Sequence, residues 1–213
     1  AKKAKDNYND GLILMIGNIA NPETYEMAVN VRADYVRCSI GTGKGCLSSS
    51  NVGVHYPIAS LIDEIASIKE ALSKKNAKLP KIIADGGVRN YSDVIKALAL
   101  GADYVMIGGV FASMFESAAE TKDAFQALIN PMEVIDEEKK RFMIKNYNIH
   151  KTFYGMSTKR AQMLCDKRLL KTSEGLECTL LCKYTMKQWV DNLTDYLRSA
   201  MSYTNCNNLW DFT

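Results

Sequence analysis

A glycine-rich stretch that ends in a cysteine, residues 39–46, holds the residue types in this chain that are best suited to chemistry. Its three glycines alternate with Thr42 and Lys44, and glycine lets backbone amides approach an anion or turns carbonyls towards a cation. A cysteine beside a lysine and at the start of a helix ionises readily, and its thiolate is a nucleophile. We therefore predict a nucleotide-site loop that presents a reactive Cys46. A tight turn that ends in a buried structural thiol is the alternative that these residues leave open.

Two further glycine pairs follow short apolar runs and suit the sugar and the phosphate of a nucleotide. Asp85 precedes Gly86 and Gly87. An exposed carboxylate there can bind two ribose hydroxyls, although an ordinary turn or helix cap would use the same residues. Gly108 and Gly109 precede a predicted helix, whose first amides can hold a phosphate. If their strands are neighbours, the two sites accommodate one mononucleotide.

Short apolar runs alternate with segments of helical periodicity about four times, which predicts an α/β fold with parallel strands. Continuous apolar runs are typical of strands that are buried on both faces. The glycine-rich clusters all follow these runs, at the strand ends that bind ligands in barrels and open α/β sheets. The predicted strands are 12–16 (ended by Gly17 and Asn18), 33–36, 81–84 and 104–107, and the predicted helices are 22–31, 61–72 and 94–98.

One tetrapeptide occurs twice: Ala-Asp-Tyr-Val at residues 33–36 and again at 102–105. Each copy follows a predicted helix and precedes a glycine-rich loop. A barrel built of repeated αβ units would show such a repeat. The alternative is a chance recurrence of residues that are common in α/β proteins.

The character of the sequence changes after about residue 120. The charge run 136–141 predicts a solvated helix face, and the stretch 153–175 has no clear period, which is typical of an excursion or flap. Glu174 lies in this stretch and suits proton transfer, with a solvated surface glutamate as the alternative. Apolar residues at helical spacing then predict a closing helix around 189–197.

We predict three regions: a barrel part at 1–120, an insertion and flap at 121–185, and a closing helix at 186–213.

Composition describes an ordinary globular chain. The 213 residues are 47% hydrophobic and 24% charged with a net charge of +3, which is enough for one sizeable domain. So small a charge gives no argument for a nucleic-acid partner, and no apolar run is long enough to span a bilayer. No signal peptide is recognisable, and the six scattered cysteines fit a reducing compartment. We therefore expect a cytoplasmic protein without a membrane partner.

These motifs together resemble the carboxyl-terminal half of the IMP dehydrogenase / GMP reductase family. The resemblance covers residues 11–117 and 151–205, whereas 120–150 match none of its motifs. Segments 41–48, 84–88 and 101–109 correspond to the cysteine loop, the ribose strand end and the phosphate strand end. Segments 153–157 and 173–175 correspond to base-binding parts, and 198–203 to the end of the closing helix.

The resemblance implies a (β/α)8 TIM barrel to which this chain supplies roughly the last four βα units, a flap and the closing helix. Either an amino-terminal half-barrel segment or association with another chain would then be needed to complete the sheet. The family also implies a homo-oligomer, a tetramer.

Within the family, three features favour the reductase: segment 53–57, segment 153–157 and the short span between Met156 and Glu174. A GMP reductase converts GMP to IMP and ammonia with NADPH, and here Cys46 would form the covalent thioimidate. The alternatives are an IMP dehydrogenase, which makes XMP with NAD, and a nucleotide-binding paralogue without catalysis.

The resemblance also assigns roles residue by residue, although Lys44, Ser39, Ser48 and Lys171 depart from the family pattern. Ser48 and Glu174 would shuttle the proton that lets ammonia leave. Carbonyls of Gly41, Gly43 and Cys46 would bind potassium. Met156, Lys171, Ser199 and Ser202 would contact the cofactor. The substrate would contact Asp85, Gly86, Gly87, Gly108, Gly109, Gly155, Met156, Ser157, Lys171, Ser173 and Gly175.

Overall fold

The chain forms two compact units in the computed structural model, which describes residues 2–8, 11–43, 45–74, 78–165, 172–173 and 175–212. The first unit comprises 1–43, 48–106 and 201–213, and the second comprises 44–47 and 107–200. Among the described residues, no helix is both long enough and apolar enough to cross a bilayer.

A four-stranded parallel sheet organises the first unit, in the order β1-β2-β3-β4. This confirms the predicted α/β class and the alternation of strands and helices. The strands are β1 Met15–Ile19, β2 Tyr35–Cys38, β3 Lys81–Asp85 and β4 Tyr104–Met106; the helices are α1 Lys2–Tyr8, α2 Thr24–Asn30, α3 Ser48–Asn51, α4 Ile58–Ser73 and α5 Tyr91–Ala99.

The core of the first unit lies between one face of the sheet and its helices. Helix α4 carries apolar residues at intervals of three and four, so that one side of the helix enters the core. Helix α5 begins at a capping box, in which the Asn90 side chain accepts the Asp93 N–H and Asp93 reaches back to the N-cap. Fully buried core residues include Tyr25, Ala28, Val36, Cys38, Leu61, Ile62, Ile65 and Ile82.

The first two strands start later than predicted. Strand β1 begins at Met15 and continues through Gly17 and Asn18, which were expected to end it. Pairing with β2 continues past these residues because the register shifts between Gly17 and Ile19. The expectation that β1 is buried on both faces is wrong: Met15 is 47% exposed, because β1 is an edge strand of the described sheet. Strand β2 starts after Ala33, whose N–H bonds to Ala28 at the end of α2.

The aspartates of the two tetrapeptide copies make equivalent hydrogen bonds and ion pairs. Asp34 Oδ2 accepts the Leu14 N–H at 2.8 Å and the Lys5 ammonium at 2.6 Å. Asp103 Oδ2 accepts the Ile82 N–H at 2.7 Å and the Lys69 ammonium at 2.6 Å. Each aspartate therefore ties the start of its own strand to the preceding strand and to a helix lysine. The two copies of the tetrapeptide thus have the same structural role.

Asp34 is stabilised in its ionised form. Burial disfavours its charge, but the hydrogen bonds from the Leu14 N–H, Lys5 and Lys78 outweigh burial and hold the pKa of Asp34 well below its ordinary value. A carboxylate whose pKa falls on folding stabilises the protein above the pKa of the unfolded chain, about 4. This contribution is lost as the pH falls below about 4 through the folded-state pKa.

An antiparallel sheet organises the second unit, in the order β5-β6-β7. Here the structure corrects the prediction of an aperiodic excursion at 153–175, which contains the end of a strand and a helix. The charge run lies as expected on a helix without buried residues, and the closing helix is present. The strands are β5 Thr121–Lys122, β6 His150–Tyr154 and β7 Glu177–Leu181; the helices are α6 Gly109–Ala112, α7 Glu137–Tyr147, α8 Lys159–Leu164 and α9 Met186–Tyr203, with α10 Leu209–Phe212 in the first unit. The predicted region limits at 120 and 185 stay predictions.

We expect Asp34→Asn to lower the free energy of unfolding by about 3 kcal/mol, because Lys5, only 1% exposed, loses its carboxylate. Asp6→Asn is the matched control: the Asp6–Arg32 pair is equally short at 2.6 Å, but both side chains are about half exposed. It should cost less than about 1 kcal/mol. Urea denaturation followed by circular dichroism measures both, and equal losses would contradict the role assigned to Asp34.

Candidate functional site

Asp85, the predicted ribose ligand, lies at the carboxyl end of β3 and is held by two donors. The Asn18 side-chain amide and the Arg37 guanidinium each donate to its Oδ2 at 2.7 Å. Asn18 also donates to the Ser39 carbonyl at 2.7 Å, which fixes the amide in place. The carboxylate is thus oriented on one oxygen, and Oδ1 remains the oxygen suited to accept ligand hydroxyls.

Arg37 and Asn18 were not predicted as members of this cluster. A charged residue inside the short run 35–38 was the available signal, since an arginine in a strand needs an anionic partner. Arg37 pairs in register with Ile83, two residues before Asp85, so both side chains lie on one face of the sheet. Arg37 Nε is buried without a hydrogen-bond partner in the described part of the chain. Such an atom marks a place where an acceptor is missing.

The first half of the glycine-rich loop packs directly on the carboxyl end of β3. Gly87 donates its N–H to the Thr42 carbonyl at 3.1 Å, and Thr42 Oγ1 donates to the Asp85 carbonyl at 3.2 Å. Gly86 has a φ of +91°, and a Cβ there would lie 2.6 Å from Thr42 Oγ1 and 3.1 Å from the Gly43 nitrogen. Glycine is therefore required at position 86 both by the backbone conformation and by close approach.

The second half of the loop brings Cys46 to two segments of the second unit that the resemblance assigns to the base. Cys46 forms an antiparallel backbone bridge with Gly175, and the Gly45 carbonyl accepts the Leu176 N–H at 3.1 Å. A Cβ on Gly155 would lie 2.5 Å from the Gly45 carbonyl oxygen, so this segment also touches the loop. The structure thus brings together three residues that the sequence predicted separately: Cys46, Gly155 and Gly175. Cys46 is half-buried.

The serines around this bridge contact it as well. Ser173 Oγ donates to the Gly175 carbonyl at 3.0 Å and accepts the Gly175 N–H at 3.3 Å. A Cβ on Gly175 would lie 2.9 Å from Ser157 Oγ, so the two serines flank one glycine. Met156 is 78% exposed next to them. Lys44, Lys171 and Glu174 lie outside the described residues.

The predicted phosphate end precedes a short helix. Helix α6 contains only four residues, with Gly108 as its N-cap, so its dipole is small. A Cβ on Gly108 would meet no atom within 4 Å, and the space before the helix is open. That Gly108, Gly109 and Asp85 hold one mononucleotide stays a prediction.

The residues assigned to a cofactor and to potassium differ in what the structure shows. Ser199 and Ser202 are exposed on α9, and Ser199 Oγ donates to the Asp195 carbonyl at 3.0 Å. The Gly41 carbonyl accepts the Ser49 hydroxyl at 3.1 Å and keeps a second lone pair. Neutral carbonyls are suited to a monovalent cation. Within the described ranges, no group of three His, Cys, Asp or Glu residues is placed to hold a metal ion.

A buried lysine that the sequence analysis did not single out supports the second unit. Lys151 on β6 is fully buried, and its ammonium donates to the carbonyls of Phe115 and Ser117 and to Thr121 Oγ1, at 2.7, 3.1 and 2.7 Å. These acceptors lie between α6 and β5, so Lys151 connects the chain after Gly109 to the strand that leads to Gly155. Burial lowers the pKa of Lys151 to about 8, although Cys182 and Glu116 oppose the shift.

Comparison with known proteins matches this chain to one family. A family model described as the IMP dehydrogenase / GMP reductase domain matches residues 1–213. The GMP reductases of Onchocerca volvulus and Caenorhabditis elegans are each 30% identical over 198 residues, 92% of this chain, but only 47% and 48% of their own lengths. The GMP reductase of Buchnera aphidicola subsp. Baizongia pistaciae is 30% identical over 217 residues, 100% of this chain and 53% of its own. The chain therefore spans about half the length of these relatives.

The stability that Lys151 contributes should depend on pH. Because its pKa falls on folding, the folded protein loses this proton at about pH 8, and the unfolded chain only near 10.5. The unfolded state binds more protons in this window, so the contribution of Lys151 to the free energy of unfolding rises with pH. Lys151→Met should remove that rise between about pH 7.5 and 9.5, as measured by urea denaturation at both values. Lys122→Met, on the neighbouring strand, should retain it; identical pH dependence in all three proteins would contradict the assignment.

Proposed function

Because this chain belongs to the IMP dehydrogenase / GMP reductase domain family, we propose that it is the thiol-bearing part of a GMP reductase, which converts GMP to IMP and ammonia with NADPH. The observation that carries the proposal is the backbone bridge between Cys46 and Gly175, with Gly155 packed on the same loop. It presents a nucleophile beside the segments that the resemblance assigns to the purine base. The relatives named GMP reductase support the reductase over the dehydrogenase.

The nucleotide would be held by the strand ends. Asp85, oriented by Arg37 and Asn18, would accept the ribose hydroxyls, and the amides of Gly108 and Gly109 would bind the phosphate. The remaining proposed substrate contacts are Gly86, Gly87, Gly155, Met156, Ser157, Lys171, Ser173 and Gly175.

The chemistry would begin at the sulfur of Cys46. Its thiolate adds to carbon 2 of the guanine ring, and the exocyclic amine leaves as ammonia once it has been protonated. Ser48 and Glu174 would deliver that proton. The resulting thioimidate joins Cys46 Sγ to carbon 2. When that carbon gains a hydride, the carbon–sulfur bond breaks, which releases IMP and regenerates the thiolate.

The cofactor would contact exposed side chains, and the cation would contact backbone carbonyls. NADPH supplies the hydride when bound, and exposed Met156, Ser199 and Ser202, together with Lys171, would hold it. The carbonyls of Gly41, Gly43 and Cys46 would hold a potassium ion, which suits their neutral charge.

The same proposal extends to assembly. Strands β1 and β4 are the two edges of the described sheet, and an amino-terminal half-barrel would cover them and close a (β/α)8 barrel. Residues 1–120 would be the second half of that barrel, with the flap at 121–185 and the closing helix at 186–213. The family pattern extends this to a tetramer. A cytoplasmic location fits the six cysteines, all of them described and none in a disulfide.

Gly86→Ala should lower the affinity for GMP by about 10- to 100-fold, because its Cβ would displace the loop around Thr42. Gly53→Ala is the control: Gly53 has a similar φ of +75°, but its Cβ would meet no atom within 4 Å. The backbone strain that Gly53→Ala introduces should therefore leave the affinity for GMP unchanged. Isothermal titration calorimetry of the complete protein with GMP measures both affinities, and equal affinities in the two variants would exclude the crowding argument.

Cys46→Ala should reduce turnover of GMP by on the order of 10⁴-fold or more, and it should abolish the covalent purine adduct seen by intact-mass analysis. Cys165→Ala removes an exposed cysteine after α8 and should leave both unchanged. Absorbance of the reduced nicotinamide follows turnover in the complete protein, including the companion half-barrel. Oxidation of IMP with NAD would identify the dehydrogenase instead, and an absence of both adduct and turnover would leave only nucleotide binding.

A further inference from the structure

The segment between β5 and β6 carries an exposed apolar surface, which we call the 123–147 face. Its large apolar side chains project into solvent far more than the core residues around them. It also borders a cavity of about 330 Å³ lined by Asp123, Ile129, Lys139, Phe142, Met143 and Tyr147. The exposed members are Phe125 (88%), Leu128 (73%), Met132 (77%), Ile135 (87%) and Phe142 (57%).

Neither folding nor the proposed catalytic site explains this face. Four of the five exposed members precede helix α7 and the fifth, Phe142, lies on it; α7 has no buried residue, and none of the proposed site residues lies between 123 and 147. Large exposed apolar surface on a globular protein often marks an interaction site. An aromatic side chain such as Phe125 or Phe142 contributes about 150–250 Å² when it is fully buried. A standard interface buries about 800 Å² on each partner, to which the five exposed side chains of this face would contribute.

The charges on α7 indicate what partner would cover the face. Glu138, Phe142 and Lys145 follow one another at intervals of four and three, so they lie on one side of the helix. The phenylalanine stands near the middle, with the negative charge towards the N-terminus and the positive charge towards the C-terminus. An identical helix that runs antiparallel across a two-fold axis at Phe142 would place each Glu138 opposite the other copy's Lys145.

We propose that the 123–147 face is the interface between two copies of this chain, related by a two-fold axis near Phe142. A two-fold interface must be self-complementary, and the charge order of α7 meets that requirement. The 123–147 face also carries both a cavity and projecting apolar side chains such as Ile135, so each copy can fill the other's cavity. The proposal is independent of the reaction that the protein catalyses.

Charge exchange on α7 tests the pairing, with sedimentation velocity of the complete protein over a range of concentrations as the measurement. Glu138→Lys alone and Lys145→Glu alone should each weaken this association at least about tenfold, because like charges then face each other. The double variant Glu138→Lys/Lys145→Glu restores opposite charges and should return the association to near the original strength. Asp195→Lys, a 77% exposed position on α9, should have no effect.

The outcomes separate this interface from others. If the protein also associates through a different face, each single variant should halve the number of copies in the oligomer. The double variant should restore the original number. Circular dichroism confirms that each variant is folded. A protein that stays monomeric at all concentrations, single variants that associate normally, or a double variant that is not restored would each overturn the proposal, including the case in which a different protein covers the face.

Discussion

The arrangement of the parallel sheet depends on carboxylates at the amino-terminal ends of its strands. Asp34 joins the start of β2 to the chain entering β1, and its carbonyl accepts the Lys81 N–H at the start of β3. Asp103 repeats this connection between β3 and β4. Because side chains alternate along a strand, a slip of one residue would turn Arg37 and Asp85 to the opposite face. The geometry of the carboxyl ends of the strands is thus determined at the other end of the sheet.

Backbone pairing holds the loop that carries the candidate thiol. The loop containing Cys46 is held by main-chain bonds to the segments around Gly155 and Gly175. Close approach of three glycine-containing segments makes this possible, since a Cβ on Gly155 would collide with the Gly45 carbonyl. Such a loop tolerates changes in its polar side chains more readily than changes in its glycines.

The sequence predicted the elements whose signals are local, and it failed where tertiary contacts decide. The apolar period of α4 and the motif around Asp85 were sufficient to place both correctly. The limits of β1 depend on an edge position and a register shift, which no local pattern reveals. Arg37 and Asn18 come from different strands and meet only when the sheet forms. Strand β6 escaped detection because a buried lysine interrupts its apolar alternation.

That lysine has a consequence for the second unit that goes beyond packing. Three oxygens from the chain between α6 and β5 surround the Lys151 ammonium as ligands surround a metal cation. Here the cation is covalently tethered to the strand it supports, so it cannot exchange with ions in solution. The oxygen cage therefore stays filled whatever the salt composition of the cell, and only the exchange of a proton can alter its charge.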